Sequence, residues 1–321
     1  FDAVDTAYEE ELSIIESLLQ NLLDDERLFV ILTSKKVIPF RHERAVLRNM
    51  TTLPLKPLDR KNSELYLHSV GIQVEPEIRN LIFTWTRGYP LAMYVMAQAI
   101  QQGYDPRTEQ GQQEICNLLT ERVINQEVLA KVRPEEQERY RSLLLLFAIP
   151  RRFNLVIMQD LIETFEAEEK RESSMGYFGL PREINETTDV LNWSMSRAGF
   201  VVDEPIRSLL TLLLKLEKPE RFFSINAYLA ETNLRLAERF SGADQVRYLK
   251  ECLYHFASAS PAAPTIEDLA QPIQLIERQP AATMHFFLDE LAQDEELREV
   301  LGEHVATIQT RIEARLRDYS S

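Results

Sequence analysis

The stretch Leu28-Phe29-Val30-Ile31-Leu32-Thr33-Ser34-Lys35-Lys36 decides how the first part of the chain is interpreted. Five consecutive apolar residues run directly into a polar tip that carries two cations. Such a run is typical of a strand that is covered on both faces, as in a parallel sheet flanked by helices. A buried strand needs neighbours for its backbone N–H and C=O groups, and the first half of the sequence offers no second convincing strand. We therefore expect the neighbouring strands to precede Phe1.

An acidic turn and a helix come before this strand. The chain opens on Phe1-Asp2-Ala3-Val4-Asp5, and residues 8–23 then place apolar side chains at the spacing of one helical face. The face consists of Leu12, Ile15, Leu18, Leu19 and Leu22. Taken alone, Asp2 and Asp5 are suited to cap the start of this helix, because Asp is favoured there.

Composition excludes several classes of protein. The 321 residues are 45% hydrophobic and 27% charged, which is typical of a soluble, folded chain of two to four compact units. No apolar run approaches the roughly 20 residues of a membrane span, and the start lacks the pattern of a secretion signal. The net charge of −15 opposes nonspecific attraction to nucleic acid, which depends on Lys and Arg. We expect neither a membrane nor a nucleic acid as partner.

Cysteine and histidine usage gives no catalytic or metal motif. Cys116 and Cys252 lie far apart in apolar helical contexts, so we predict two core thiols in a reducing, cytoplasmic compartment. The five histidines form no i, i+4 pair and no Cys/His ligand spacing, which argues against a zinc site. His255 lies in an aromatic helix, where packing is the expected role.

Beyond Pro57 the pattern is helical. Residues 76–87 place Ile78, Ile82 and Trp85 on one face, and Gly88 follows where a left-handed helix end is favoured. Pro90 fits the first turn of the next helix, residues 91–102. Residues 103–113, rich in Gln and Gly, are the first predicted linker.

A different order of elements begins near residue 134. Helices are predicted at residues 140–148, 155–166 and 189–197, followed by a short strand at residues 200–203. Three helices followed by a strand are typical of a winged helix. Residues 208–321 are predicted to be helical, ending in an apolar stripe that must pack on a neighbour: Leu297, Leu301, Ile308, Ile312 and Leu316. These helices resemble the hairpins of a solenoid, although they show no reliable internal period.

Four short motifs, followed by the winged helix, resemble the STAND class of P-loop NTPases, which includes the NB-ARC and NACHT signalling ATPases. The motifs are Phe1-Asp2-Ala3-Val4-Asp5, Leu32-Thr33-Ser34-Lys35, Leu53-Pro54-Leu55-Lys56-Pro57-Leu58 and Gly88-Tyr89-Pro90-Leu91-Ala92. The resemblance covers about residues 1–230. It implies a mainly α chain with a remnant of an α/β P-loop NTPase core in residues 1–56. A small helical lid (57–132), a winged-helix domain (133–230) and a C-terminal helical, solenoid-like domain (231–321) follow.

The resemblance also implies a site. Asp2 matches the Walker B carboxylate, which holds Mg²⁺, and Asp5 the neighbouring acid that orients the attacking water. Ser34 and Lys35 match the sensor 1 tip, whose cation touches the γ-phosphate, and Pro90 matches the proline that packs on adenine. The alternatives are a helix cap for the two acids, a solvated lysine, and a simple helix-to-helix turn.

Three departures from the family pattern stand out. Lys35 replaces the usual Arg and offers a point charge without a planar fork. Asp203 occupies the place where NB-ARC proteins have a phosphate-binding His, and an Asp repels phosphate, so we do not include it in the site. The Gly-rich loop that ends in Gly-Lys-Ser/Thr occurs nowhere in the sequence. We therefore expect no ATP hydrolysis by this chain alone.

The implied function is part of an ATP-dependent STAND signalling switch, with ATP/ADP and Mg²⁺ as cofactors of the intact protein. Its expected partners are the upstream NTPase half, further copies of itself on activation, and a protein or ligand trigger at the C-terminal helices. Two alternatives remain open. One is a winged-helix DNA-binding transcriptional regulator, and the other is a helical protein-interaction scaffold without ATPase activity.

Overall fold

A computed structural model describes residues 4, 8–22, 25, 27–34, 38, 40, 44–53, 55–262 and 264–320. The chain divides into two compact units, Phe1–Lys56 and Pro57–Ser321. The described residues form sixteen α-helices and one two-stranded antiparallel hairpin. The expectation of a mainly helical chain is therefore confirmed. No helix in the described ranges is both long and apolar enough to cross a membrane.

The first unit contains two described helices, α1 (Glu9–Leu22) and α2 (Arg44–Asn49). Its small core consists of Val4, Leu19, Ile38, Phe40 and Val46. The Val4 backbone N–H donates to the carbonyl of Thr33 at 2.9 Å, so this residue of the predicted acidic turn lies beside the predicted polar tip.

The predicted buried strand at residues 28–32 is wrong as a description of this structure. Residues 28–34 are neither helix nor strand. The side chains of Leu28, Phe29, Val30 and Ile31 are 50%, 89%, 39% and 63% exposed. An apolar run becomes a strand only when a neighbour completes its ladder of backbone hydrogen bonds, and the run cannot supply that neighbour itself.

The second unit begins with four α-helices. Asp59 caps the first of them, since its Oδ1 accepts from the Asn62 N–H at 2.7 Å. The helices are α3 (Arg60–Ser69), α4 (Pro76–Thr86), α5 (Pro90–Gln101) and α6 (Glu109–Leu119). The α4–α5 pair and Pro90 in the first turn of α5 agree with the sequence prediction.

The linker predicted at residues 103–113 is shorter in the structure. Thr108 caps α6 by accepting from the Gly111 N–H at 3.1 Å, so the second half of the predicted linker is helical. Gly111 serves close packing, because a Cβ there would lie 1.9 Å from the Asp105 carbonyl oxygen. A π-helix, Thr120–Val128, continues from α6 and was not predicted.

Three helices and the hairpin follow. They are α7 (Gln137–Ala148), α8 (Leu155–Phe165), α9 (Leu180–Thr188), β1 (Leu191–Ser194) and β2 (Gly199–Val202). The strands pair antiparallel with Leu191 opposite Val202 and Ser194 opposite Gly199, and an isolated bridge joins Phe153 to Phe200.

The prediction of a helix at residues 189–197 is therefore wrong. Asp189 ends α9 in the left-handed conformation with φ 58°, and the chain then turns into β1. Trp193 faces Phe200 across the strand pair, with ring centroids 5.0 Å apart in an edge contact. This cross-strand packing outweighs a short apolar pattern that fits either a helix or a strand.

The remaining helices are α10 (Glu204–Glu217), α11 (Pro219–Arg239), α12 (Gly242–Ser258), α13 (Ala270–Glu277), α14 (Ala281–Gln293), α15 (Glu295–Leu301) and α16 (His304–Ser320). All five residues of the predicted apolar stripe are buried, which confirms a packed surface. Gly302, with φ 54°, divides the stripe between α15 and α16.

Two apolar cores lie within the second unit. One extends from Leu67 to Leu229, and the other from Ala237 to Leu316. Nine buried polar side chains lie in the segment after α7 and on α10, α11 and α12. They are Arg151, Arg152, Arg207, Asn226, Thr232, Asn233, Gln245, Glu251 and His255.

Candidate functional site

The turn between α4 and α5 brings two of the sequence motifs together. The Leu58 N–H donates to the Gly88 carbonyl at 2.9 Å. Gly88 has φ 76°, and a Cβ there would lie 1.9 Å from the Leu58 carbonyl oxygen. Only glycine satisfies both the left-handed backbone and this close approach without rearrangement. The predicted role of Gly88 at a left-handed helix end is confirmed.

Pro90 lies exposed at the mouth of this turn. It occupies the first position of α5, where its missing N–H costs nothing, and its ring is open to solvent. Tyr89 beside it is partly buried, and its pKa is raised by burial and by the carboxylates of Glu127 and Asp203. The turn therefore lies near the end of the π-helix and the start of α10.

The charges around the turn are negative. Asp203 precedes α10. The pKa of its carboxyl group is raised by partial burial and by the neighbouring charge of Glu204. Glu127 and Glu204 are exposed. Together these carboxylates repel a phosphate, while the exposed ring of Pro90 offers an apolar contact to a flat base. The chemistry agrees with leaving Asp203 out of the predicted site.

The other predicted site residues are placed as follows. Asp2, Asp5 and Lys35 lie outside the described residues, so the catalytic and metal roles assigned to them stay predictions. Ser34 is exposed and belongs to the first unit, whereas Pro90 belongs to the second. Within the described ranges, no cluster of three or more His, Cys, Asp or Glu side chains could hold a metal ion.

A second polar arrangement, which we call the charge network, lies between the two apolar cores. Arg151, directly after α7, donates from Nε and Nη2 to Glu251 at 3.2 and 3.1 Å. Its Nη1 donates to Asp294 at 2.7 Å, and its guanidinium lies 4.5 Å from the ring centroid of Tyr254. Arg151 and Glu251 are almost completely buried, so both charges depend on these contacts.

Arg207 on α10 extends the network. Its Nη2 donates to Glu296, which also accepts from the Tyr254 hydroxyl at 2.9 Å. Lys250 on α12 contacts Asp294 at 3.1 Å. The segment after α7 is thus joined to α10, α12 and α15 through charged side chains.

The pKa shifts follow from burial and opposite charge. Burial alone would raise the pKa of Glu296, but Arg207 and Arg151 outweigh it and hold the pKa below its usual value. Burial likewise works against ionisation of Asp294, yet Arg151, the Leu297 N–H and Lys250 lower its pKa. For Arg151 and Arg207, burial lowers the pKa and the surrounding carboxylates raise it. The carboxylates have the larger combined effect, so the pKa of both arginines is raised. These two arginines and two carboxyl groups are therefore ionised near neutral pH.

His255 and the cysteines have packing roles. His255 is buried, and its Nδ1 lies 2.8 Å from Asn226 Oδ1. Burial lowers its pKa well below the ordinary value, and Arg151 and Arg207 lower it further. Cys116 and Cys252 are buried free thiols, which confirms them as core residues. Burial and Glu217 raise the pKa of Cys116 to about 12, and burial raises that of Cys252.

One residue in the sequence does indicate a buried ionic contact of the charge network. Arg207 lies three residues before Leu210 and seven before Leu214, on the apolar face of α10. A charge on such a face indicates a buried ionic partner. The partners themselves are more than forty residues away in sequence and could not be identified from spacing.

No protein-family model matches the chain, and no curated protein or solved structure is significantly similar to it.

Proposed function

We propose that the chain is part of an ATP-dependent STAND signalling switch. In such a switch, nucleotide state controls domain rearrangement and oligomerisation or the activation of an effector. The order of elements supports the proposal: a helix pair with a Gly-Tyr-Pro turn, three helices with a hairpin, and a helical tail.

We infer that residues 133–230 form a winged-helix domain. The sequence α7, α8, α9, β1 and β2 has the order of such a domain. The isolated bridge between Phe153 and Phe200 joins the segment between α7 and α8 to the hairpin at one residue pair. In this inference the helix before the hairpin is α9.

The observation that carries the proposal is the position of the Gly88–Pro90 turn. It lies beside Leu58 and close enough to Asp203 for that carboxylate to affect Tyr89. In the proposal, Pro90 belongs to the lid and Asp203 ends the winged helix, and the effect of Asp203 on Tyr89 supports a place for both near one nucleotide. In the proposal, Pro90 packs on adenine, Ser34 and Lys35 contact phosphate, and Asp2 and Asp5 serve Mg²⁺ and the attacking water.

The proposal assigns phosphate binding to a Gly-rich loop outside this sequence. ATP or ADP with Mg²⁺ would then bind only the intact protein. Activation would involve further copies of the same chain and a trigger at the C-terminal helices, in the cytoplasm.

Transcriptional regulation through DNA finds less support in the surface of α9. Arg182 is paired with Glu186 at 2.6 Å, and Glu183 binds Arg139 at 3.1 Å. A recognition helix needs cations and amides free for phosphates and base edges. The scaffold alternative is decided by the nucleotide experiment.

That experiment measures ATP and ADP binding by calorimetry, with Mg²⁺, on the intact protein that includes the segment upstream of Phe1. We expect binding that Asp2→Ala abolishes for Mg²⁺-ATP. Pro90→Ala should weaken binding roughly fivefold, because about 1 kcal/mol of apolar contact is lost.

Pro76→Ala is the matched control, since Pro76 holds the same first position in α4. It should leave binding unchanged. Absence of nucleotide binding by the intact protein would reject the switch and favour a scaffold.

A further inference from the structure

Three carboxylates on α15 and its N-cap each contact an arginine from a different part of the second unit. Asp294 accepts from Arg151 at 2.7 Å, and Glu299 accepts from Arg87 at 2.9 Å. Glu296, between them in sequence, binds Arg207.

The three arginines belong to distant segments. Arg87 directly precedes Gly88 and itself has a left-handed backbone with φ 48°. Arg151 follows α7 and lies two residues before Phe153, which bridges to the hairpin. Arg207 lies one turn after Asp203 on α10. One short helix thus holds the α4–α5 turn, the hairpin region and α10 at the same time.

The contacts differ in burial. The side chains of Arg151 and Arg207 are each 5% exposed, whereas those of Arg87 and Glu299 are 40% and 53% exposed. Removing one member of a buried pair leaves an uncompensated charge, while an exposed pair contributes little. The inner two contacts therefore dominate.

Helix α15 depends on its surroundings for its structure. It has seven residues, fewer than an isolated helix needs to be stable in water. Leu297 and Leu301 are buried in the C-terminal core, and Asp294 caps the helix by accepting from the Leu297 N–H at 3.0 Å. The position of the helix therefore depends on the ion pairs of Asp294, Glu296 and Glu299 and on the packing of Leu297 and Leu301 in the core.

We propose that α15 is a clamp that fixes the α4–α5 turn, the residues after α7, and α10 in one arrangement. Asp294, Glu296 and Glu299 are its three contact points. Loss of these contacts removes a carboxylate partner from Arg87, Arg151 and Arg207 at the same time and loosens the three segments together, while Arg151 keeps Glu251. The clamp acts in the chain itself and does not depend on nucleotide binding.

The test is hydrogen exchange measured by mass spectrometry on the full chain, without nucleotide. The double variant Asp294→Asn, Glu296→Gln should increase exchange about tenfold or more in residues 84–92, 150–153, 203–210 and 295–301, because contacts to charged groups are lost. The interior of α11 should keep its protection.

The matched control is Glu295→Gln. Glu295 is exposed on the same helix and has no ion pair in the part of the chain that the structure describes. Unchanged exchange in the double variant, or an equal increase across the whole chain including α11, would overturn the clamp.

A second pair of variants covers the case in which the double variant does not fold. Glu299→Gln and Arg87→Gln alter an exposed pair and should leave the fold intact. Each should increase exchange in both residues 84–92 and 295–301, and combining them should add little. Local effects confined to the altered segment would contradict the proposal.

Discussion

At the scale of single residues, Gly88 is the position where the backbone permits least change. Its positive φ and its approach to Leu58 are independent constraints, and both act at one Cα atom. Gly103 also has a positive φ, 99°, but a Cβ there would meet nothing within 4 Å. Alanine at Gly103 would therefore carry only the cost of a positive φ, whereas alanine at Gly88 would also collide with Leu58.

We expect Gly88→Ala to lower the free energy of unfolding by at least about 2 kcal/mol, since a left-handed alanine costs about 1 kcal/mol and the collision forces a backbone shift. Gly103→Ala should cost about 1 kcal/mol only. Urea denaturation measures both. Equal effects would show that Leu58 moves away freely.

A pH dependence is expected from His255. Its pKa is lowered by burial and by Arg151 and Arg207, so the folded protein holds the ring neutral. The unfolded chain takes up a proton below about pH 6.5, and stability then falls by about 1.4 kcal/mol per pH unit until the folded pKa is reached.

Denaturation between pH 7 and pH 5 checks this expectation. His255→Gln should flatten the stability profile in that range, whereas His285→Gln, at an exposed position, should not. The pKa values of Asp294 and Glu296 are lower in the folded protein than in the unfolded chain, where carboxyl groups titrate near about 4. Their ionised forms therefore stabilise the fold above about pH 4, and this stabilisation is lost as the pH falls further. A wild-type profile that is already flat would reject the role of His255.

At the scale of elements, sequence patterns predicted the helices whose ends carry a signal. Pro76, Gly88 and Pro90 marked α4 and α5 closely, because each residue restricts its own backbone. Patterns without such signals were ambiguous. The apolar residues of the hairpin fit a helical period, and residues 28–32 lacked the partner that a strand requires.

Part of the candidate site could be predicted from the sequence and part could not. The Gly88–Pro90 turn was found because it combines local signals within three residues. The charge network was not found, because Arg151 and Arg207 meet carboxylates from α12 and α15 that only the tertiary fold brings near. The π-helix at Thr120–Val128 also has no sequence signal that we recognise.

At the scale of the whole second unit, two apolar cores are joined through a polar layer. A buried ion pair costs desolvation, so its members stabilise the fold only while all of them are present. The charge network therefore makes the packing of the C-terminal helices against the rest of this unit sensitive to single charges.

We expect Arg151→Ala to lower the free energy of unfolding by about 3–5 kcal/mol, because Glu251 is left buried without this partner and Asp294 keeps only Lys250. Arg87→Ala, which removes an exposed pair, should cost less than about 1 kcal/mol. Guanidinium denaturation compares the two. Similar losses would mean that the network contributes no more than a surface contact.

The exposed apolar run at residues 28–31 affects how the protein behaves in concentrated solution. Four neighbouring apolar side chains without a charge or a proline favour cross-β association between chains. A surface that covered these four side chains would remove this tendency to associate.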